Sequence, residues 1–144
     1  MNDLSRLAIH TMTNKPWSLR ECIDGYSAAG VGAISVWRNV IEPIGANEAG
    51  RMLRDAGMSV SALVRGGFFP AVDQTSRRMA IDNNRVCIDE AAAIGAEMVV
   101  LVVGAVPGQP LTESRRQDAE GIPVLLEHAE QPQVKLAIEQ LHPL

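Results

Sequence analysis

Five short runs of apolar residues recur along the chain, and each has the length of a β-strand. The runs are rich in Val, Ile and Leu and nearly continuous, which is typical of strands that a parallel sheet buries on both faces. The gaps between them are long enough for the crossover helix that parallel strands require. We therefore predict five parallel strands, at residues 7–10, 33–37, 60–64, 98–103 and 134–139.

The segments between these runs carry helix signals. Ser18 and Glu21 have the spacing of a capping box, in which each side chain bonds the backbone N–H of the other residue. Apolar residues then recur at helical spacing in three segments, over about 19–29, 47–56 and 75–94, and in the third the residues expected to face the sheet are Met79, Val86, Cys87, Ala91 and Ile94. All three helices are predicted to end at a glycine directly before a strand, namely Gly30, Gly57 and Gly95. This repetition indicates one βα unit repeated in space.

A fourth helix is predicted to begin at Thr112, which can cap it. Gly121 and Pro123 lie in its middle, and a proline in a helix interior costs about 3 kcal/mol. We therefore expect a break near Gly121 that divides this segment into two short helices.

Bulk composition is typical of a globular domain and not of a disordered chain. Its 144 residues are 47% hydrophobic and 21% charged, with a formal net charge of −4 and no run of basic residues. Nucleic acid is therefore not an expected partner.

Cys22 and Cys87 have no metal-type spacing and are expected to be reduced, half-buried thiols. No signal-peptide core or membrane-length apolar run is present, so we expect a cytoplasmic protein.

Chemistry in parallel α/β folds is found beyond the carboxyl ends of the strands. Glu139 ends the fifth run, where an unpaired buried charge would cost several kcal/mol. It is either a ligand for a hard divalent cation, to which carboxylate oxygen is suited, or the partner of Arg65 or Arg38 in an ion pair.

Four other residues at predicted strand ends are candidates for substrate binding. His10 can bond a substrate hydroxyl or be a satisfied structural residue, and Trp37 can stack on a sugar ring or fill the mouth of the sheet. Arg65 suits a phosphate or carboxylate through its planar donor fork, with a surface salt bridge as the alternative. His142 orients substrate or is a solvated imidazole.

Three segments carry a family resemblance: 93–104, the loop 106–112, and Lys135-Leu136-Ala137-Ile138-Glu139-Gln140-Leu141-His142-Pro143. The chain resembles the sugar phosphate isomerase/epimerase proteins of the xylose-isomerase-like TIM barrel superfamily. The resemblance implies a partial (β/α) barrel with about five parallel strands and four helices. Residues 1–144 would form a single incomplete domain, since a full barrel needs about 250 residues.

The resemblance also implies the roles of the site residues. Glu139 would be a catalytic residue and the first ligand of a divalent metal such as Mg, Mn, Co or Zn, and His142 would lie beside a sugar or sugar phosphate. In the family the other ligands come from strands six to eight, and the second glutamate has no counterpart here. Two further departures are Gln140, where relatives often have Pro, and Pro123 within a helix.

The resulting hypothesis is the N-terminal portion of a metal-dependent sugar (phosphate) isomerase or epimerase, inactive alone and possessing no complete metal site of its own. Its open sheet edges would pair with a second copy or with a complementing half-barrel. The alternative is a non-catalytic half-barrel module that dimerises through those edges. A DNA-repair endonuclease of the same superfamily is disfavoured by the net charge and by the absence of a fuller cluster of His, Glu and Asp residues in the sequence.

Overall fold

The computed structural model describes residues 3–139, which form one open sheet covered by helices. The strands pair in chain order and every pairing is parallel. This confirms the prediction of five parallel strands, which are β1 (Ala8–His10), β2 (Ala33–Trp37), β3 (Ser59–Gly67), β4 (Met98–Val102) and β5 (Lys135–Glu139). The third strand is longer than predicted because pairing with β4 continues through Gly67.

Helices connect each strand to the next, as parallel pairing requires. They are α1 (Leu19–Ala28), α2 (Arg38–Ile41), α3 (Ala46–Asp55), α4 (Gln74–Ile94) and α5 (Leu111–Glu130), with a short 3-10 helix at Thr11–Asn14. Four of the α-helices match the predicted crossovers. The short α2, which follows Trp37 directly, was not predicted because four residues carry no measurable periodicity.

The helix boundaries follow the local signals in the sequence. The Ser18 backbone N–H donates to Glu21 Oε2 at 2.7 Å, and the Glu21 N–H donates to Ser18 Oγ at 3.3 Å, so the capping box is confirmed. Gly30, Gly57 and Gly95 follow α1, α3 and α4 with φ of 77°, 65° and 73°. Glycine takes this left-handed conformation without steric cost, which explains the repeated ending.

The predicted inner face of α4 is partly wrong. Cys87, Ala91 and Ile94 are buried, but Met79 and Val86 are 66% and 47% exposed. The buried stripe passes instead through Asn84 and Ile88. A polar residue at an inward position therefore shifted the apparent hydrophobic face in the sequence.

The predicted break in α5 is also wrong, because the helix runs unbroken through Pro123, and its N-cap is Pro110 rather than Thr112. Pro123 is on the exposed side, where water can satisfy the carbonyl that loses its intrahelical donor. Gly121 is buried against Phe69, and a Cβ at this position would lie 2.6 Å from Cδ1 of that ring. The glycine thus marks a close approach rather than an interruption.

One apolar core lies between the helices and the outer face of the sheet. Cys22 and Cys87 are both unpaired and fully buried in it, deeper than the half-buried position predicted. Burial raises the pKa of both thiols, to about 11 for Cys87. Within residues 3–139, no helix has the length and apolarity needed to cross a bilayer.

Asp118 is an exception to the apolar character of the buried layer. Its side chain lies on the inner side of α5, only 8% of the residue is exposed, and within the described residues its Oδ1 has no hydrogen-bond partner. Burial raises the pKa of this carboxyl to about 6.

Candidate functional site

The carboxyl ends of the strands bring polar side chains to one edge of the sheet. His10 is the last residue of β1, Trp37 the last of β2 and Glu139 the last of β5. Arg65 lies within β3, two residues before the strand ends. The parallel direction of all five strands places these positions at the same edge.

A groove of about 580 Å³ crosses the sheet at this edge, and we call it the mouth groove. Its floor follows a row of the sheet in which Trp37 pairs with Val64, Val64 with Val100, and Val100 with Ala137. Polar residues stand at both ends of this apolar floor. The complete lining is His10, Met12, Thr13, Trp37, Val64, Val100, Ala137, Ile138 and Glu139.

His10 and Trp37 are held by hydrogen bonds at one end of the groove. The Trp37 indole Nε1–H donates to His10 Nδ1 at 3.3 Å, and the Trp37 backbone N–H donates to Oγ1 of the buried Thr11 at 3.0 Å. The Tyr26 hydroxyl donates to the His10 carbonyl oxygen at 3.1 Å. The other ring nitrogen of His10, Nε2, is not bonded to Trp37.

Arg65 lies against two aromatic rings beside the mouth groove. Its guanidinium carbon is 5.8 Å from the centroid of Trp37 and 4.8 Å from that of Phe68, both within cation–π range. A second groove of about 360 Å³, the outer groove, adjoins the mouth groove and shares Met12, Trp37 and Val64 with it. Its full lining is Met12, Trp37, Arg38, Asn39, Glu42, Val64, Arg65, Phe68 and Asn83.

A buried asparagine fixes the chain that carries Arg65 and Phe68. The Gly67 backbone N–H donates to Asn84 Oδ1 at 2.6 Å, and Asn84 Nδ2 donates to the Gly67 carbonyl at 2.8 Å. Gly67 has φ of 101°, and a Cβ there would collide with the backbone of Val102. Phe68 follows with φ of 56°, which is uncommon for a residue with a bulky side chain.

Phe68 and Asn84 were not among the predicted site residues. The pair Gly66-Gly67 at the end of a strand was the available signal for Phe68, since glycines in a strand often mark a close backbone approach. Asn84 gave no signal, because a polar residue in a long helix is ordinarily expected to face solvent.

The described residues do not form a complete metal site. Glu139 is exposed, and within residues 3–139 no group of three or more His, Cys, Asp or Glu side chains is close enough to hold an ion. The alternative in which Glu139 pairs with Arg38 is not seen, because Arg38 pairs instead with Glu90 through Nε–Oε2 and Nη2–Oε1 contacts of 2.6 and 3.0 Å. Nor is an ion pair between Glu139 and Arg65 present in this part of the chain. His142 lies outside the described residues.

A groove larger than the mouth groove lies at the opposite, amino-terminal edge of the sheet. It has a volume of about 860 Å³ and is lined by residues 3–8, by the turn before β2, by Ser59 and Ser61 at the start of β3, and by Glu97 before β4. Active sites of α/β barrels lie at the carboxyl edge of the strands. The smaller mouth groove is therefore the candidate site.

Comparison with known proteins agrees with this fold. Residues 23–143 match the model of the xylose isomerase-like TIM barrel family. The structure of protein SMc04130 from Sinorhizobium meliloti 1021 is 42% identical, with a TM-score of 0.92 over 98% of this chain and 52% of that chain. Among curated proteins, no sequence match is found.

Two more distant structures share the fold. D-psicose 3-epimerase, determined in the presence of D-fructose, is 15% identical with a TM-score of 0.76, over 93% of this chain and 52% of that one. The zinc-bound IOLI protein is 15% identical with a TM-score of 0.77, over 91% and 50%. The chain thus spans about half the length of these proteins. Its five parallel strands with helical crossovers, and the family match over most of its length, show that the chain belongs to the xylose isomerase-like TIM barrel family.

Proposed function

We propose that this chain supplies the first five strands of a sugar isomerase or epimerase site. The observation that carries the proposal is the mouth groove, in which His10, Trp37 and Glu139 come from three different strand ends and line one cavity. A hydroxyl-rich ligand with an apolar ring face fits such a lining. Trp37 supplies a ring for stacking, while His10 and Glu139 supply hydrogen-bonding groups at the two ends.

The reaction class follows from the type of polar group present and from the relatives. Moving a proton at a carbon next to a carbonyl requires a positioned base and a positioned acid. Glu139 is the carboxylate of the mouth groove, and we assign it the catalytic role on this chain. The D-psicose 3-epimerase neighbour supports a sugar as the substrate class.

We also propose that Glu139 is one ligand of a divalent metal ion whose other ligands lie outside residues 3–139. The zinc-bound neighbour supports this assignment, while the single carboxylate in the mouth groove is insufficient by itself. His142 is proposed to lie beside the substrate.

Two fully buried, unpaired cysteines support a reducing, cytoplasmic location.

The first experiment is the intact mass of the polypeptide produced by its native source. If the mass is well above 15.5 kDa, that polypeptide is incubated in deuterium oxide with Mn²⁺ and D-fructose, and exchange of carbon-bound hydrogen is followed by NMR. We expect exchange in the native protein and its loss in Glu139→Gln. Exchange that survives in the Glu139→Gln variant would contradict the catalytic assignment.

If the native mass is 15.5 kDa, metal binding provides the test. Titration with Mn²⁺ should then show affinity weaker than about micromolar for the chain alone, because one carboxylate offers few of the oxygen ligands such ions prefer. Micromolar binding would show that the chain holds a metal without further strands, contrary to the proposal.

A second candidate function is a non-catalytic module that associates through the sheet edges. The exposed apolar side chain of Ile138 in the edge strand β5 favours it, since 59% of that residue is accessible. Association with a second copy or with a complementing half-barrel would cover this surface. This candidate predicts a dimer that is indifferent to chelator and to Glu139→Gln.

A further inference from the structure

The segment from Arg65 to Phe68 is constrained by more contacts than an ordinary strand end. In the pairing of β3 with β4, Val64 is opposite Val100 and Gly66 is opposite Leu101, so Arg65 is an extra residue in a bulge. Bulges commonly re-aim a side chain beside an active site. Asn84, which is only 1% exposed, then holds the end of β3 through hydrogen bonds to both backbone groups of Gly67.

Phe68 gives a second sign that the segment serves a ligand. A phenylalanine in the left-handed region costs conformational energy, and 47% of this residue remains exposed, so apolar burial does not offset that cost. In this conformation the Phe68 ring contacts Arg65, whose guanidinium carbon lies 4.8 Å from the ring centroid. Trp37 contacts the same guanidinium from the mouth groove.

The stacked guanidinium retains its donors. Aromatic rings interact with the flat face of a guanidinium and leave its N–H edge available. Within residues 3–139 Arg65 has no hydrogen-bonded or ion-paired partner, whereas the neighbouring Arg38 is neutralised by Glu90. A planar fork with its orientation fixed and its donors unused matches the geometry of an oxyanion.

We propose that Arg65 binds the anionic group of the substrate, a phosphate or a carboxylate carried by the sugar. This inference rests on the proposed function and narrows it to an anionic sugar. The reacting part of the ligand occupies the mouth groove, and the anionic group lies at the junction with the outer groove, which Trp37 borders on both sides. Glu42 lines the outer groove as a carboxylate without an ion pair in the described part of the chain, so it opposes anion binding and limits its strength.

Isothermal titration of the 144-residue chain with four probes tests the proposal. The probes are D-fructose 6-phosphate, D-glucuronate, D-fructose and inorganic phosphate. We expect the sugar phosphate or the uronate to bind at least about tenfold more tightly than D-fructose, and Arg65→Gln to remove that difference. Whichever charged sugar binds more tightly identifies the anionic group.

Three further variants sharpen the result. Arg65→Lys keeps the charge without the fork and should retain only part of the preference. Glu42→Gln should tighten binding of inorganic phosphate, because it removes a nearby negative charge. Arg78→Gln removes an arginine of α4 that lines neither groove and should leave every affinity unchanged. Circular dichroism of each variant confirms that it is folded.

The outcomes separate this proposal from the proposed function. Equal binding of charged and neutral sugars would overturn the role of Arg65 and leave the sugar site standing. Phosphate binding that is lost in Arg65→Gln, with no sugar bound, would support the oxyanion site and contradict the sugar function. If neither phosphate nor a charged sugar binds, the role of Arg65 is overturned.

Discussion

At the scale of single residues, the buried carboxyl of Asp118 makes stability depend on pH. Its pKa in the folded chain is about 6, above the ordinary value of 3.8, so the folded state holds the proton more tightly than the unfolded state. The stabilising contribution is therefore complete below about pH 4 and is lost as the pH rises through 6.

Asp118→Asn should remove this dependence. We expect the variant to be more stable than the native chain by about 1 to 3 kcal/mol at pH 7, and similar to it at pH 4. Urea unfolding at the two pH values measures the difference. Glu127→Gln, at an exposed acid of the same helix, is the control and should change stability by less than about 0.5 kcal/mol. A variant no more stable than the native chain at pH 7 would show that Asp118 finds a partner.

Asn84 is the second residue with a large expected effect. Replacing it with Ala leaves the buried backbone groups of Gly67 without partners, which we expect to cost about 2 to 4 kcal/mol in the free energy of unfolding. Asn83→Ala is a matched control, because that residue is exposed and precedes Asn84 in α4. Equal losses of stability in the two variants would contradict a specific role of the hydrogen bonds between Asn84 and Gly67.

The location of the candidate site was predictable only where a polar or aromatic residue coincides with the end of a strand. His10, Trp37 and Glu139 terminate strands that were recognisable from apolar runs, and the structure places all three in one groove. Phe68 and Asn84 depend on a bulge and on a contact between a helix and a strand end. Such contacts join residues far apart in sequence, so no local pattern reports them.

At the scale of elements, α5 shows where local propensity and packing disagree. Helix propensity predicts that Gly121→Ala stabilises α5 by about 1 kcal/mol. The added Cβ would instead lie 2.6 Å from Phe69, and overpacking of this kind costs about 1 to 3 kcal/mol. We therefore expect a net loss of stability in thermal unfolding. Pro123→Ala, two residues further on, restores a backbone donor on the exposed side and should stabilise the chain. A Gly121→Ala variant more stable than the native chain would show that the Phe69 side chain can move away from the added Cβ at little cost.

The elements that the sequence predicted well are those with strong endings. The Ser18 and Glu21 capping box and the three glycines after α1, α3 and α4 located helix boundaries, because each satisfies a backbone requirement independent of the rest of the fold. The continuity of α5 was missed because it depends on packing against Phe69 and on which side of the helix Pro123 faces.

At the scale of the whole molecule, the open sheet leaves β1 and β5 as edges in the described chain. Unpaired edges promote association, and Ile138 adds an exposed apolar side chain to one of them. We expect the 144-residue chain to self-associate at micromolar concentrations in sedimentation velocity experiments, and Ile138→Lys to weaken that association. Val72→Lys, at a 77% exposed apolar residue outside the sheet, is the control. A chain that stays monomeric at all concentrations would contradict edge pairing.

The two buried thiols have a consequence for following how the molecule opens. Cys22 on α1 and Cys87 on α4 are both fully inaccessible, so an alkylating reagent can reach each sulfur only when its helix detaches from the sheet. Labelling rates of Cys22→Ala and Cys87→Ala, each of which retains one thiol, should therefore report the opening of α4 and α1 separately. If α1 opens more readily than α4, unfolding begins at the amino-terminal unit, and the labelling rates of the two cysteines measure the order in which the helices detach.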